Sequence, residues 1–400
     1  MTNTVQTSGK RLRAVSVALA LAIVLVPAVV GTKSAKAQTL TVLYTFTGGA
    51  DGGTPWAGLV RDSKGNLYGT TYGGGSSNCR DGCGVVFKVD TAGKETVLHS
   101  FTDHKRDGNY SFAGLLRDVK GNLYGTAARG GASDQGIVFK LSKTGRETVL
   151  HNFTGKDGSF SVAGLVSDAK GNLYGTTEGG GSSGDGTVFM LDTAGKERVL
   201  HSFTNNGGDG ALPCAGLVRD AKGNLYGAAG GGPHAGCGMV FKLDKAGKET
   251  VLYSFTCGAD GQYPNDFGYL VRDVAGNLYG TTWGGGAYGG GTVFKVAKNG
   301  EETVLYSFTG GADGGNPWAG LIQDAQGNFY GTAWGGGAYG GGTVFKVDGS
   351  GTETVLYSFT GGADGAGPYA PLMQDAKGNL YGTTSGGGAY DYGTVFELTP

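Results

Sequence analysis

Short apolar runs of five or six residues, each closed by glycine, asparagine or aspartate, follow one another along almost the whole chain. Between residues 319 and 359 the runs are 319–324, 329–333, 343–347 and 354–359. The segments between them are 325–328, the glycine loop 335–342, and 348–351. Runs rich in β-branched and aromatic residues between such turn signals predict strands. No segment after residue 37 keeps a helical period. The unit recurs, with the phrase Gly-Asn-(Leu/Phe)-Tyr-Gly beginning at Gly65, Gly121, Gly171, Gly223, Gly276, Gly327 and Gly378. Four antiparallel strands in each ~51-residue unit predict the blades of a β-propeller.

The two ends are complementary. Residues 41–46 read as a fourth strand with no three before it, and the seventh unit stops after its third strand at 394–398. Pairing the two would close a ring and remove two exposed strand edges. The expectation is therefore an all-β chain, residues 38–400, forming one seven-bladed propeller of four-stranded antiparallel blades. Aromatic residues recurring once per unit fit the filling between blades. They are the series from Phe46 to Phe359 in the fourth strand, Phe87 to Phe396 in the third and Tyr68 to Tyr381 in the second.

The phrases Ala57-Gly58-Leu59-Val60 and Gly65-Asn66-Leu67-Tyr68-Gly69-Thr70 resemble the GloVer tandem repeat. That family comprises exported bacterial proteins called "choice-of-anchor" because members carry different C-terminal attachment modules. The resemblance spans residues 41–400 and implies export and a repeat scaffold, with no established activity and no catalytic residues. Pro400 follows the last strand directly, which departs from the anchored pattern.

Lys10, Arg11 and Arg13 precede a nearly unbroken apolar stretch, 14–30, and Ala35-Lys36-Ala37 follows it. This is the order of a secretory signal peptide, residues 1–37, with Gln38 as the first mature residue. Export places the protein in the periplasm or outside the cell, with no membrane insertion after cleavage. The whole chain is near neutral, at −1, and the signal carries basic residues only, so the remainder is net acidic. Such a surface excludes nucleic acid as an expected partner. Oligomeric state is not legible. An oxidising compartment allows disulfides among the five cysteines. Cys79 with Cys83 is one candidate bridge and Cys214 with Cys237 the first candidate among Cys214, Cys237 and Cys257, whose connectivity the sequence leaves open.

The loop that leads into each first strand and the loop between strands two and three share one face, where a localised function belongs. Every lead-in loop holds an Asp-Gly: Asp51, Asp107, Asp157, Asp209, Asp260, Asp313 and Asp364. Asp before Gly forms turns, and the same carboxylates are candidate ligands for a hard cation such as Ca²⁺. No other cofactor is expected. At the loop-face end of strand two stand Tyr72, Ala128, Glu178, Gly230, Trp283, Trp334 and Ser385, with Tyr288 and Tyr339 in the following glycine loops. Trp283, Trp334, Tyr288, Tyr339 and Tyr72 collect in one sector, where flat aromatic faces suit stacking against sugar rings. Arg129, Glu178 and the run His104-Lys105-Arg106 add charge in blades 2 and 3.

The expected function is a non-catalytic binding or scaffold module for a glycan or cell-envelope polymer on the glycine-rich loop face. Two alternatives stand beside it: a metal-dependent lyase or lactone hydrolase at the channel mouth, and a purely structural repeat protein. No nucleophile–base order and no phosphate-binding or zinc-ligand motif occurs.

Overall fold

Each Gly-Asn-Leu-Tyr-Gly phrase leads into the second strand of a four-stranded antiparallel sheet. In the first blade the strands are Val60–Arg61, Leu67–Thr70, Val85–Val89 and Glu95–Ser100, paired in that order. The computed structural model describes residues 1–4, 38–102, 107–206, 208–234, 236–264 and 268–399. The expected signal core and cleavage site, and His104-Lys105-Arg106, lie outside the described residues. The chain divides into units 1–37 and 38–400, and the second holds seven such blades.

The seventh blade is built from both ends. Thr39–Thr45 pairs antiparallel with Thr394–Thr399, beside Leu380–Thr384 and Met373–Gln374. Register runs from Thr39 opposite Thr399 to Thr45 opposite Thr394, with one bulge between Val42 and Tyr44. The equivalent outer pair of each other blade carries a bulge at the same place, for example between Val86 and Phe87. Such bulges increase local twist.

Three contacts repeat between neighbouring blades and explain the repeat phrases. Fourth-strand phenylalanines meet third-strand phenylalanines of the next blade edge to face. Phe101–Phe139 is one such pair at 5.3 Å, and Phe46–Phe87, at 5.0 Å, carries the contact across the closure. All four rings are fully buried. The threonine of Tyr-Gly-Thr donates its hydroxyl to the alanine carbonyl of the next Ala-Gly-Leu, as in Thr70 to Ala113 and Thr126 to Ala163, both at 3.1 Å. Thr383 makes the same bond to Ala57 across the closure, at 3.3 Å. Finally, Arg117 lies over Tyr68 and Arg219 over Tyr174.

The tight-turn face is organised by one aspartate per blade. Asp62 accepts from the Asn66 backbone and side chain and from the Tyr68 hydroxyl, at 2.8–3.0 Å. Burial works against ionisation there, but these hydrogen bonds together outweigh it and hold the carboxyl below its ordinary value.

The first strand is shorter than its apolar run suggests. Only Ile322–Gln323 pairs from the run 319–324. The residues before it turn toward the axis, where Ala319 instead accepts the inter-blade threonine bond.

Glycine in the middle of strand two is required by packing. Gly69 pairs directly with Phe87. A Cβ there would lie 2.7 Å from Phe87 Cζ and 3.0 Å from Leu59 Cδ2. Gly227 faces Phe241 in the same way, at 2.7 Å. Gly227→Ala is expected to cost about 1–3 kcal/mol by overpacking, measured by chemical denaturation. Gly349→Ala, where a Cβ meets open space, serves as the near-neutral control.

Candidate functional site

At one equivalent position of every lead-in loop the backbone is left-handed: Thr54, Tyr110, Phe160, Leu212, Tyr263 and Asn316, at φ 52–56°, and Gly367 at 60°. For six of the seven the residue is not glycine, so each position costs of order 1 kcal/mol and persists because its surroundings hold it. Tyr110 N–H donates to Cys83 of the preceding blade at 3.2 Å, and Tyr110 carbonyl accepts from Ala128 at 3.2 Å. Phe160 likewise donates to Gln135 and accepts from Glu178, both at 3.0 Å. The lead-in residue is thereby fixed beside the end of strand two. Both positions vary in side chain from blade to blade while the surrounding phrases repeat.

Between the first three blades these variable positions enclose a cavity of about 390 Å³. Tyr72, Tyr110, Phe112 and Phe160 supply its aromatic surface, and Arg80, Asp81, Arg129 and Glu178 its charges. Tyr72 stacks on Tyr110 at 4.9 Å, and the Arg129 guanidinium lies 4.7 Å from the centre of the Phe160 ring. Arg129 also reaches Asp134, at 3.6 Å. Burial raises the Glu178 carboxyl above its ordinary value. That carboxylate has no hydrogen-bond partner among the described residues. Arg80 and Asp81 come from a loop closed by the Cys79–Cys83 disulfide.

From Tyr72 an arc of rings continues toward blades 7, 6 and 5. Trp56 stacks on Tyr72 at 5.3 Å and on Tyr369 at 5.1 Å. Tyr369 meets both Trp334 and Trp318 at 5.9 Å, and Trp318 meets Trp283 at 5.5 Å. Trp283, Trp334 and Tyr72 thus share one network, bridged by Trp56, Trp318 and Tyr369. Tyr288 and Tyr339 do not join it in any ring contact among the described residues. They stand 68 % exposed in the glycine loops.

The axis is partly blocked by one side chain. Tyr269 occupies the place that Gly58, Gly114, Gly164 and Gly216 hold in the first four blades. A Cβ on Gly164 would overlap the Tyr269 hydroxyl, and one on Gly216 its ring. The remaining axial space, about 240 Å³, is lined by glycines and by Leu59, Leu115, Leu321 and Phe112. No carboxylate, imidazole or cation of the described residues lines it. The polar groups gather off the axis, in the cavity of blades 1–3.

The seven Asp-Gly carboxylates are placed one per blade junction, beside the outermost strand. Asp51 accepts from the Thr47 backbone at 2.8 Å, from the Thr47 hydroxyl, and from the Tyr44 hydroxyl at 2.9 Å. Asp260, Asp313 and Asp364 repeat this with Tyr253, Tyr306 and Tyr357. Asp107, Asp157 and Asp209 meet His99, His151 and His201 instead. Each is closed into its own turn, and the series does not converge on one shared site.

The cysteine pairing differs from the sequence expectation. Cys237 bonds Cys257, not Cys214. Met239 pairs with Ser254 in the hairpin of blade 4, so Cys237 and Cys257 flank the open end of that hairpin. Cys214 lies ahead of the innermost strand, where its thiol donates to the Leu212 carbonyl. The Cys79–Cys83 bridge is present as expected.

The sequence profile of the Gloeobacter/Verrucomicrobia repeat matches residues 29–167, 80–269 and 223–400. No curated protein matches the chain. Among solved structures the chain is similar to an extracellular domain of a Bacteroides thetaiotaomicron protein described as a hybrid two-component system. That likeness has 15 % identity and TM-score 0.58, covering 90 % of this chain and 41 % of that one. It is also similar to an extracellular domain of a protein described as a one-component system from the same organism. There the identity is 10 % and the TM-score 0.58, covering 90 % and 40 %. At these identities the likeness shows the fold alone, and this chain spans about two fifths of each of those proteins.

Proposed function

The chain belongs to the Gloeobacter/Verrucomicrobia repeat family, and from that premise we propose that it is an exported module binding a glycan of the cell envelope or surroundings on its loop face. One observation carries this reading: in blades 1–3 the positions that vary among otherwise repeated blades line a common cavity with aromatic rings and planar charged groups. Aromatic faces stack on the C–H faces of sugar rings, and carboxylates and guanidinium groups hydrogen-bond paired hydroxyls. The arc from Trp56 to Trp283 extends that surface beyond one sugar unit. Export is supported by two disulfides and by the extracellular setting of the two similar domains. No helix among the described residues is long and apolar enough to cross a membrane.

The test is retention of the purified chain on a panel of polysaccharides and envelope fractions. Tyr72→Ala is expected to weaken binding at least tenfold, because it removes the ring shared by cavity and arc, and Trp283→Ala with Trp334→Ala less. Tyr288→Ala and Tyr339→Ala, off the network, are expected to change affinity less than twofold. Equal binding by the Tyr72 variant would place the ligand elsewhere.

A catalytic reading has one point in its favour, the Glu178 carboxyl, unpartnered among the described residues and lining the same cavity as Arg129. It requires Glu178→Gln to abolish turnover of a bound glycan while leaving its affinity within a fewfold.

A further inference from the structure

Three successive blade junctions carry histidine in the outermost strand where the other four carry tyrosine. His99, His151 and His201 stand in the places held elsewhere by Tyr44, Tyr253, Tyr306 and Tyr357. Each imidazole Nε2 lies 3.0–3.2 Å from the Asp-Gly carboxylate of the following loop: Asp107, Asp157 or Asp209. A glutamate from the outer strand of the next blade completes the group: Glu147, Glu197 or Glu249. In each triad the three donor atoms lie within 4.8 Å of one another. The Oε1 of each glutamate is sealed from solvent and has no hydrogen-bond partner.

The tyrosine junctions isolate what the histidine adds. Asp51 with Glu95, Asp260 with Glu302 and Asp313 with Glu353 are the matching pairs there, and burial first, then the aspartate charge, raises each glutamate carboxyl. The third group there is a phenol, a neutral donor already committed to the aspartate. An imidazole makes the same hydrogen bond to its aspartate, but unlike a phenol it has a second tautomer that turns the Nε2 lone pair toward the carboxylates, so a cation can take the place of that proton.

We propose that His99–Asp107–Glu147, His151–Asp157–Glu197 and His201–Asp209–Glu249 are three equivalent sites for a divalent transition metal of the zinc class. One nitrogen and two oxygens match zinc, whereas calcium takes six to eight oxygens. Two carboxylates and a neutral imidazole carry the charge that one divalent ion balances. Two metal bonds of ~2.0–2.1 Å at tetrahedral or slightly smaller angles separate their donor atoms by about 3.0–3.4 Å, the spacing each histidine and aspartate already has. The glutamate closes on the ion by side-chain rotation. The other oxygen of Asp157 is held at 2.8 Å by the backbone and hydroxyl of Thr154, which orients the carboxylate as a one-oxygen ligand. The imidazoles and aspartates are 12–20 % exposed, which gives an ion access and leaves a position for water. Sequence spacing hides these sites because each draws on two blades.

The test is calorimetric titration of the chelator-treated, purified full chain with Zn²⁺, with metal content counted after dialysis. Three ions per chain are expected. His99→Tyr/His151→Tyr/His201→Tyr installs the phenol that four junctions already use, and is expected to lose all three while keeping its unfolding midpoint in the absence of metal. Glu147→Gln/Glu197→Gln/Glu249→Gln is expected to weaken uptake at least tenfold. Zinc-edge X-ray absorption on the loaded wild-type chain reads the ligands without any variant and should show one imidazole and otherwise oxygen. No uptake, uptake unchanged in the tyrosine variant, or sulfur in the coordination shell overturns the proposal.

Discussion

Removing residues 39–46 is expected to abolish cooperative folding of the entire ring, not of one blade. Those residues supply the outer strand of the seventh blade and the Phe46 ring, which is fully buried against Phe87 of the first. They also supply Tyr44, which ties down Asp51. Without them Thr394–Thr399 becomes an open edge, a template for pairing with other chains. The milder Phe46→Ala is expected to cost about 3–5 kcal/mol, the usual range for emptying a buried phenylalanine site. Thermal unfolding followed by circular dichroism, with size-exclusion chromatography, checks both. A truncated chain that kept a sharp transition at nearly the wild-type temperature would mean that the blades stand as an open stack.

Stability is expected to peak in mildly acid solution and to decline toward pH 8. Six glutamates open the outer strands of the first six blades, and burial, followed by the neighbouring Asp-Gly carboxylate, raises their carboxyl groups. Glu95, Glu147, Glu197, Glu302 and Glu353 rise to about 7, and Glu249 to about 8. Below the ordinary glutamate value of 4.5, folded and unfolded chains both hold these protons and the groups cost nothing. Between 4.5 and about 7 the unfolded chain releases protons that the folded chain keeps, so stability falls as pH rises. Above about 8 the loss is complete and the curve flattens. A fully shielded group would contribute ~1.4 kcal/mol per pH unit. These are partly exposed and screened, so each contributes a fraction of that, repeated six times. The acid limb has a separate origin. Asp62 and its six counterparts in the tight turns are held below the ordinary aspartate value, and their stabilisation is lost as pH falls through that lowered range. Melting temperatures from pH 3 to 9 should therefore rise, peak and fall by several degrees. Replacing all six glutamates by glutamine should remove the fall on the alkaline side, and an unchanged fall would assign it to other groups.

The repeat made the architecture legible. In-register Phe, Tyr and Gly-Asn series mark strands whose rings fill the space between blades, and the two incomplete ends announce the closure. The length of the first strand was not legible, because its apolar run is shared between strand pairing and lining of the axis. Tyr269 carried a readable signal, the one aromatic residue in a column otherwise of five glycines and Pro371, but its reach across the axis depends on ring closure. In the site, Tyr72, Arg129 and Glu178 stood out as departures at the end of strand two. Tyr110 and Phe160 did not, because lead-in loops of unequal length obscure their alignment and left-handed backbone at non-glycine residues has no sequence signature. Arg80 and Asp81 were concealed inside what read only as a local disulfide loop. The partner of Cys237 required the hairpin register, which places Cys257 beside it.

Hydrogen exchange with mass spectrometry on the chain with and without a retained glycan tests the central claim most directly. The account predicts protection in peptides covering 54–56, 72–83, 108–112, 128–130 and 158–162, and around Glu178, on the loop face of blades 1–3. The tight turns at 62–66 and 90–94 should not change. Protection confined to those turns, or spread evenly over all seven blades, would contradict it.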